Sequence, residues 1–292
     1  MTHRAGALNH PLWLASMSFN IGTKPQLDLD HKEYDALYIS DIHFIPEAAT
    51  YRQNNQGALL KLLKSLKEQR FKFQRVFIVG DGLENWFISS ASALKNNPNS
   101  YNTLLESLEA ISQERFYIIG NHCTTSINMK LPRPVEKYLK RRKWKILKEY
   151  RDKDVIVTHG HQAQYTMYKW RFFIPFAYLL YSILRLIPGS LPLYERFVLS
   201  VIDFDKTKSE PDHFRYHLKL IRQVKRCGQW LVSGHTHRPV NFKMIKSINA
   251  GDWLINHTFI TQKNVDFKLW EYHEQTGVQL IVPNLKQPPT LI

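Results

Sequence analysis

The sequence has little cysteine, no long hydrophobic run and comparatively few acidic residues. Two cysteines in 292 residues cannot build a disulfide framework, so we predict free thiols and a reducing compartment. The longest strongly apolar stretch, residues 172–184, contains Pro175 and Ser182 and is shorter than the ~20 residues that span a bilayer. No internal repeat or low-complexity tract is present, and these absences exclude disulfide-rich, membrane-spanning and repeat classes.

The charge balance is strongly basic. Forty Lys and Arg against 25 Asp and Glu give a formal net charge of +15. Such a field favours phosphate groups, nucleic acid or an anionic membrane surface as partners. With 43% hydrophobic residues, the chain is also long enough to bury a large core, so composition predicts an ordinary folded protein.

Apolar strands alternate with amphipathic helices from Tyr34 onward. We predict strands near 36–41, 76–81, 116–120, 155–159 and 230–233, with helices near 59–70, 104–111, 134–144 and 213–227. This order is typical of a mostly parallel sheet covered by helices, in which functional side chains gather at the carboxyl ends of the strands. Short strands between residues 242 and 282 suggest an antiparallel second sheet.

Three segments stand apart from this alternation. We predict a mobile N-terminal tail over residues 1–30, an inserted helical cap at about 164–208, and a C-terminal tail over 286–292. The remaining residues between 31 and 285 would form one domain. The N-terminal segment lacks the pattern of a secretory signal, since Arg4 is the only charge before a short apolar stretch.

Five predicted strand ends carry side chains that bind metals. Most have glycine at the turn, which lets the backbone stop sharply and approach an ion. The segments are Asp41-Ile42-His43, Gly80-Asp81, Gly120-Asn121-His122, His159-Gly160-His161 and Gly234-His235-Thr236-His237.

Carboxylate, amide and imidazole groups without thiolate suit Mn²⁺, Fe²⁺ or Zn²⁺. One ion would leave several of these groups unused, whereas two ions can share a carboxylate and hold a phosphate between them. The pattern therefore predicts a two-metal site.

These blocks resemble those of the calcineurin-like metallophosphoesterases, from about Asp35 to Val265. The resemblance implies a four-layer α/β/β/α metallophosphoesterase sandwich with an inserted helical cap. It also implies two divalent ions and a metal-bridging hydroxide as nucleophile. We expect the ions to be manganese, with iron or zinc as alternatives. The implied ligands are Asp41, His43 and His237 for one ion, Asn121, His159 and His235 for the other, and Asp81 as the bridge.

The same resemblance assigns His122 to catalysis. Its imidazole would contact the phosphate or protonate the leaving oxygen. The family usually has an acidic residue after Gly-Asn-His, and this chain has Cys123, so the carboxylate that would orient His122 is absent there. His161 could support a metal ligand or be a satisfied surface histidine, and we favour the surface interpretation. We interpret Glu84 as a helix-start or core residue rather than a catalytic one.

A narrower resemblance points to a substrate. The segment from Gly80 to Trp86, the cap, and residues 249–253 are similar to the UDP-2,3-diacylglucosamine diphosphatases of lipid A synthesis. Two features depart from that group, which often has arginine at the position of His122 and a different residue at that of His161. In this hypothesis Lys206 and Lys208 contact the substrate diphosphate.

The aromatic cap and the basic run around residues 137–148 would then favour an anionic membrane surface. We expect a cytoplasmic protein bound peripherally to the inner membrane, with a nucleotide-linked lipid as substrate.

Alternative functions remain open from the sequence. Another phosphodiester or a phosphoprotein could be the substrate of the same metal centre. A metal-free scaffold would be expected to have lost ligands, and every implied ligand is present. A nucleic-acid binder would account for the positive charge but would leave the clustered Asp and His residues without a role. The sequence indicates no protein partner.

Overall fold

The computed structural model describes most of the domain predicted from the sequence. The described residues are 29–44, 56–84, 98–124, 130–163 and 210–281, together with Leu94, Leu179, Leu180, Ile183 and Ile187. Most of the predicted tails and cap lies outside these residues, as do Trp86, Lys206 and Lys208. Leu29 is buried in the core, and Asp30 accepts a 2.7 Å hydrogen bond from Tyr34.

Twelve strands and four helices of at least nine residues are found in the described part of the chain. The helices are α1 (Gln56–Glu68), α2 (Pro98–Ala110), α3 (Arg133–Arg141) and α4 (Glu210–Gln223). The strands are β1 (Glu33–Ile39), β2 (Lys72–Val79), β3 (Ser112–Ile118), β4 (Lys145–Leu147), β5 (Glu149–Arg151), β6 (Val155–Thr158), β7 (Trp230–Ser233), β8 (Val240–Phe242), β9 (Ser247–Asn249), β10 (Thr258–Lys263), β11 (Asp266–His273) and β12 (Gly277–Leu280).

The first sheet has seven strands in the order β12-β11-β10-β1-β2-β3-β4. Strands β1 to β4 are parallel, as the alternation of strands and helices predicts. β10 pairs antiparallel with the free edge of β1, and β11 and β12 continue the sheet outward. The C-terminal strands thus complete the first sheet.

The second sheet has five strands in the order β5-β6-β7-β9-β8. β6, β7 and β9 are parallel neighbours, whereas β5 and β8 pair antiparallel at the two edges. The prediction of an antiparallel second sheet made of the C-terminal strands was therefore right for the antiparallel pair β8 and β9 and wrong for β10, β11 and β12, which join the first sheet. The error arose because the local alternation of apolar and polar residues identifies a strand but not the strand it pairs with. In the structure β10 pairs with the edge of β1.

Three buried layers between these elements give the four-layer α/β/β/α arrangement. Alternate residues of a strand face opposite sides, so Leu37 and Ile39 of β1 join the core under α1, α2 and α3, while Ala36 and Tyr38 join the core between the sheets. On the far side, Ile156 of β6 packs with Leu220 of α4 in a third core. The predicted fold class is confirmed.

Parallel strands of both sheets end at one edge of the sandwich. Backbone hydrogen bonds tie their exit loops together: the Asp41 N–H donates to the Gly80 carbonyl at 3.2 Å and the His43 N–H to the Asp81 carbonyl at 2.8 Å. In the second sheet, the Gly234 N–H donates to the His159 carbonyl at 3.1 Å. This edge holds the predicted ligands.

Candidate metal centre

Among the described residues, three clusters of carboxylate and imidazole groups lie at this edge, and two of them consist only of predicted ligands. In the first, His237 Nε2 is 3.2 Å from Asp41 Oδ1, and His43 Nε2 is 3.8 Å from the same oxygen. In the second, His159 Nε2 is 2.9 Å from Asp81 Oδ2, and His235 offers a nitrogen within the same group. Each of these two clusters joins residues from both sheets, so the site exists only when the sandwich closes.

Asn121 belongs to the second cluster. Its side-chain oxygen Oδ1 is 3.1 Å from His159 Nε2. The other ring nitrogen of His159, Nδ1, lies 2.9 Å from the Val79 carbonyl oxygen. A neutral His159 therefore donates from Nδ1 and turns its Nε2 lone pair toward Asp81 and Asn121, as a metal ligand must.

The ligand loops have an unusual backbone. Five of the predicted ligands adopt positive φ: Asp41 (51°), His43 (46°), Asp81 (45°), His235 (72°) and His237 (55°). Residues other than glycine rarely adopt this left-handed conformation, which carries a cost and is concentrated at functional sites. The fold accepts this strain at the positions where the side chains converge.

Glycines precede these ligands because neighbouring ligands fill the space that a side chain would need. A Cβ atom on Gly80 would lie 2.2 Å from His159 Nδ1, and one on Gly120 would lie 2.1 Å from Asp81 Oδ1. A Cβ on Gly234 would lie 2.4 Å from Asp41 Oδ2. The turn glycines seen in the sequence are thus explained by close packing of one ligand loop on another.

Glu84 has a larger role than the sequence indicated. Its carboxylate is buried, 2.9 Å from His43 Nδ1 and 2.9 Å from His122 Nδ1. It therefore orients a predicted metal ligand and the predicted catalytic histidine together, and it supplies the carboxylate missing at Cys123. The only sequence signal was its position three residues after Asp81.

His122 is further held through its backbone. Its N–H donates a 2.8 Å hydrogen bond to Asp81 Oδ1. Its ring centroid lies 4.7 Å from that of His43. Cys123 is a buried free thiol 3.2 Å from the Tyr117 hydroxyl, and burial together with Asp81 raises its pKa to about 12. A neutral Cys123 thiol contributes packing rather than charge.

His161 lies closer to the centre than predicted. Its ring centroid is 5.5 Å from that of His159 and 6.2 Å from that of His235. Nδ1 is buried and has no hydrogen-bond partner among the described residues. Burial, followed by the charge of His159, lowers its pKa to about 3. The interpretation as a satisfied surface histidine was wrong, because the turn after β6 directs the ring inward.

The electrostatics of the site follow from close contact between carboxylates and imidazoles. Burial would raise the pKa of Asp41, but His159 and His237 hold that pKa well below its ordinary value, and Asp81 is shifted in the same direction. Burial would lower the pKa of His159, yet Asp81 and Asp41 raise it to about 9. The buried carboxylates and the His159 imidazole therefore favour each other's charged forms.

The donor atoms fit divalent ions. Asp41 Oδ1 is buried and accepts no hydrogen bond of normal geometry among the described residues, while His43 Nε2 and His237 Nε2 lie 3.2 Å apart beside it. Three such atoms facing one point need a cation to satisfy them. The mixed oxygen and nitrogen set matches Mn²⁺, Fe²⁺ or Zn²⁺.

No curated protein shows a significant sequence match to this chain. The sequence profile of the calcineurin-like phosphoesterases matches residues 36–239, which include all the strand ends described above. Because the match covers more than half of the chain, the protein belongs to the calcineurin-like phosphoesterase family and is a metal-dependent phosphoester hydrolase.

Proposed function

We propose that Asp41, His43 and His237 hold one divalent ion, that Asn121, His159 and His235 hold a second, and that Asp81 bridges them. The observation that carries this proposal is the pair of neighbouring clusters on left-handed backbone. Two bound ions would lower the pKa of a water molecule and neutralise charge on the phosphate.

His122 is the residue proposed to act on the leaving group. Glu84 occupies its Nδ1 side at 2.9 Å, so Nε2 is the nitrogen that would serve the leaving oxygen. The backbone bond from His122 to Asp81 keeps that ring at a constant position relative to the second cluster. A proton on this Nε2 would be the one transferred to the leaving oxygen.

For the substrate we propose the diphosphate of a nucleotide-linked lipid, of the UDP-2,3-diacylglucosamine type. Support comes from the sequence segments around Gly80 and Asn249 and from exposed apolar residues of the insertion. Leu179 is 54% exposed and Ile183 is 51% exposed, and Leu180 and Ile187 are exposed as well, so this segment presents several aliphatic side chains to solvent. Among the described residues, no helix combines the length and apolarity that spanning a bilayer requires.

An anionic membrane surface is the proposed partner, and helix α3 supports it. Val135 and Leu139 anchor the buried face of this helix. Arg133, Lys137 and Arg141 project from the opposite face and line a shallow surface groove of about 550 Å³, together with Lys140 and Glu136, which form an ion pair at 2.6 Å. Each basic residue near an anionic surface contributes roughly 1 kcal/mol of binding.

Hydrolysis of a panel of phosphates in the presence of Mn²⁺ tests the reaction. The panel comprises UDP-2,3-diacylglucosamine, an aryl phosphodiester, an aryl phosphomonoester, a phosphopeptide and DNA, with Asp81→Ala as the inactive control. We expect turnover that chelation abolishes and that is fastest on the lipid nucleotide. Faster turnover of another panel member would refute the lipid nucleotide as the substrate. Full activity of Asp81→Ala would refute the metal centre.

Sedimentation with vesicles tests the membrane proposal. Vesicles of neutral lipid, with and without an anionic lipid, are compared for the native protein and for Lys137→Glu/Arg141→Glu. The control is Lys64→Glu on α1, which is also exposed. We expect the double variant to lose binding to anionic vesicles while the control keeps it. Equal binding of all three proteins, or binding that ignores lipid charge, would refute the proposal.

A further inference from the structure

The loop after β7 holds two proposed ligands in a strained turn. His235 and His237 have φ of 72° and 55°. The Thr236 N–H donates to the Gly234 carbonyl at 2.9 Å, which closes a three-residue turn around His235. Three-residue turns with positive φ at the centre are rare and costly, so neighbouring groups must hold this one in place.

Asn249 holds the first half of this loop. It is the last residue of β9, lies beside Ser233 of β7 and is fully buried. Its Nδ2 group donates to the Gly234 carbonyl at 2.6 Å and lies 3.2 Å from Thr236 Oγ1. Oδ1 accepts the Gly251 N–H at 2.9 Å, which determines the orientation of the amide.

Asn256 holds the second half. Its Nδ2 group donates to the His237 carbonyl at 2.7 Å. The Asp252 carboxylate accepts a second hydrogen bond from this amide and also accepts the N–H groups of Leu254 and Ile255 at 2.8 and 2.6 Å. Asp252 therefore fixes the turn that presents Asn256 to the loop.

We propose that Asn249 and Asn256 are positioning residues that serve different ions. Asn249 braces the turn around His235, which lies with Asp81 and His159, and Asn256 braces His237, which lies with Asp41 and His43. Removal of either amide leaves one strained ligand unsupported, and the ion of that cluster then binds more weakly while the other ion is less affected. This inference rests on the metal centre proposed above.

Calorimetric titration of the metal-free protein with Zn²⁺ separates the two amides. Asn249→Leu and Asn256→Leu remove the donors at similar volume, and each is combined with His235→Ala or His237→Ala so that a single cluster remains. Ser247→Ala is the matched control, because Ser247 is a fully buried residue of the same strand whose hydroxyl bonds His217 at 2.7 Å, away from the loop.

With His237→Ala, the remaining ion should bind 10- to 100-fold more weakly after Asn249→Leu and within about twofold of unchanged after Asn256→Leu. With His235→Ala, the pattern should reverse. Ser247→Ala should lower the melting temperature of the metal-free protein without lowering the affinity for either ion. The visible absorption of the Co²⁺-loaded protein should shift in the asparagine variants only.

The outcomes distinguish the two proposals. Failure of the wild-type protein to bind two ions would defeat the metal centre itself. Two ions bound normally by the wild type and by both asparagine variants would overturn the positioning role alone. If Asn249→Leu does not fold, Asn256→Leu, at a partly exposed position, provides the same test for His237.

Discussion

Replacement of Gly120 by alanine tests the close packing of the ligand loops. The added Cβ would lie 2.1 Å from Asp81 Oδ1 and 2.4 Å from the Asp81 backbone nitrogen. Rotation of the Asp81 side chain could relieve the first contact but not the second. The two loops must therefore separate, and the 2.8 Å hydrogen bond from the His122 N–H to Asp81 is lost or lengthened.

The required movement sets the size of the effect. Real Cβ atoms essentially never come closer than 3.0 Å to such atoms, so the Asp81 backbone has to move by about 0.6 Å and its carboxylate by up to about 0.9 Å. A misplacement of about 1 Å costs up to about 100-fold in rate. That factor corresponds to roughly 2.7 kcal/mol of transition-state stabilisation. Metal affinity should fall in parallel, because Asp81 is the proposed shared ligand.

The assay measures Mn²⁺-dependent hydrolysis of an aryl phosphodiester and the number of ions bound per chain. Gly57→Ala is the control, since a Cβ there meets nothing within 4 Å and the residue lies in helix α1. It should leave turnover unchanged and raise stability by up to about 1 kcal/mol. A folded Gly120→Ala protein that binds two ions and turns over at the native rate would refute the packing argument.

Three further predictions concern protons and charge. The pKa of His159 is about 9 in the metal-free site, so metal binding must displace its proton. Below that pH, the apparent Zn²⁺ affinity measured by calorimetry should rise about tenfold per pH unit. An affinity that does not depend on pH would contradict this prediction. Burial, and after it the charge of His213, lowers the pKa of His217 to about 3. Below pH ~6.5 the unfolded chain therefore binds more protons than the folded chain, and the free energy of unfolding should fall by up to about 1.4 kcal/mol per pH unit on acidification. In urea unfolding, His217→Asn should give a shallower dependence of this free energy on pH, and an equal dependence would refute the assignment. Arg75 donates a 2.6 Å hydrogen bond to Asp152 between the sheets. In urea unfolding, Arg75→Met should lower the free energy of unfolding by about 1–2 kcal/mol, whereas Lys61→Met, which removes an exposed ion pair, should lower it by under ~0.5 kcal/mol. Equal losses would refute a larger contribution from the partly buried pair.

Much of the fold could be predicted from local patterns. Apolar runs such as 76–79 and 230–233 are strands at nearly the expected positions, and the leucine stripe from Leu59 to Leu66 lies on α1. Partner choice could not be predicted, as β10 shows by adding to β1 in the first sheet. The edge strands β4 and β5 were missed because their three residues carry too little pattern.

The metal-binding residues were also visible in the sequence, since aspartate, asparagine and histidine recur where strands end. The groups that support them were not visible. Glu84 looked like a helix-start or core residue, and nothing in the sequence singled out Asn256 or the bonds that Asn249 makes, because a hydrogen bond between distant segments leaves no periodic trace in the chain.

The sequence by itself determined the fold class, the family and the residue types of the metal centre, because each depends on short-range pattern and chain order. Tertiary structure decided how those residues act together. It brought loops from two sheets within 3–4 Å, placed one carboxylate against both His43 and His122, and turned His161 inward. These contacts join residues far apart in the chain, and only the closed sandwich brings them within reach of one another.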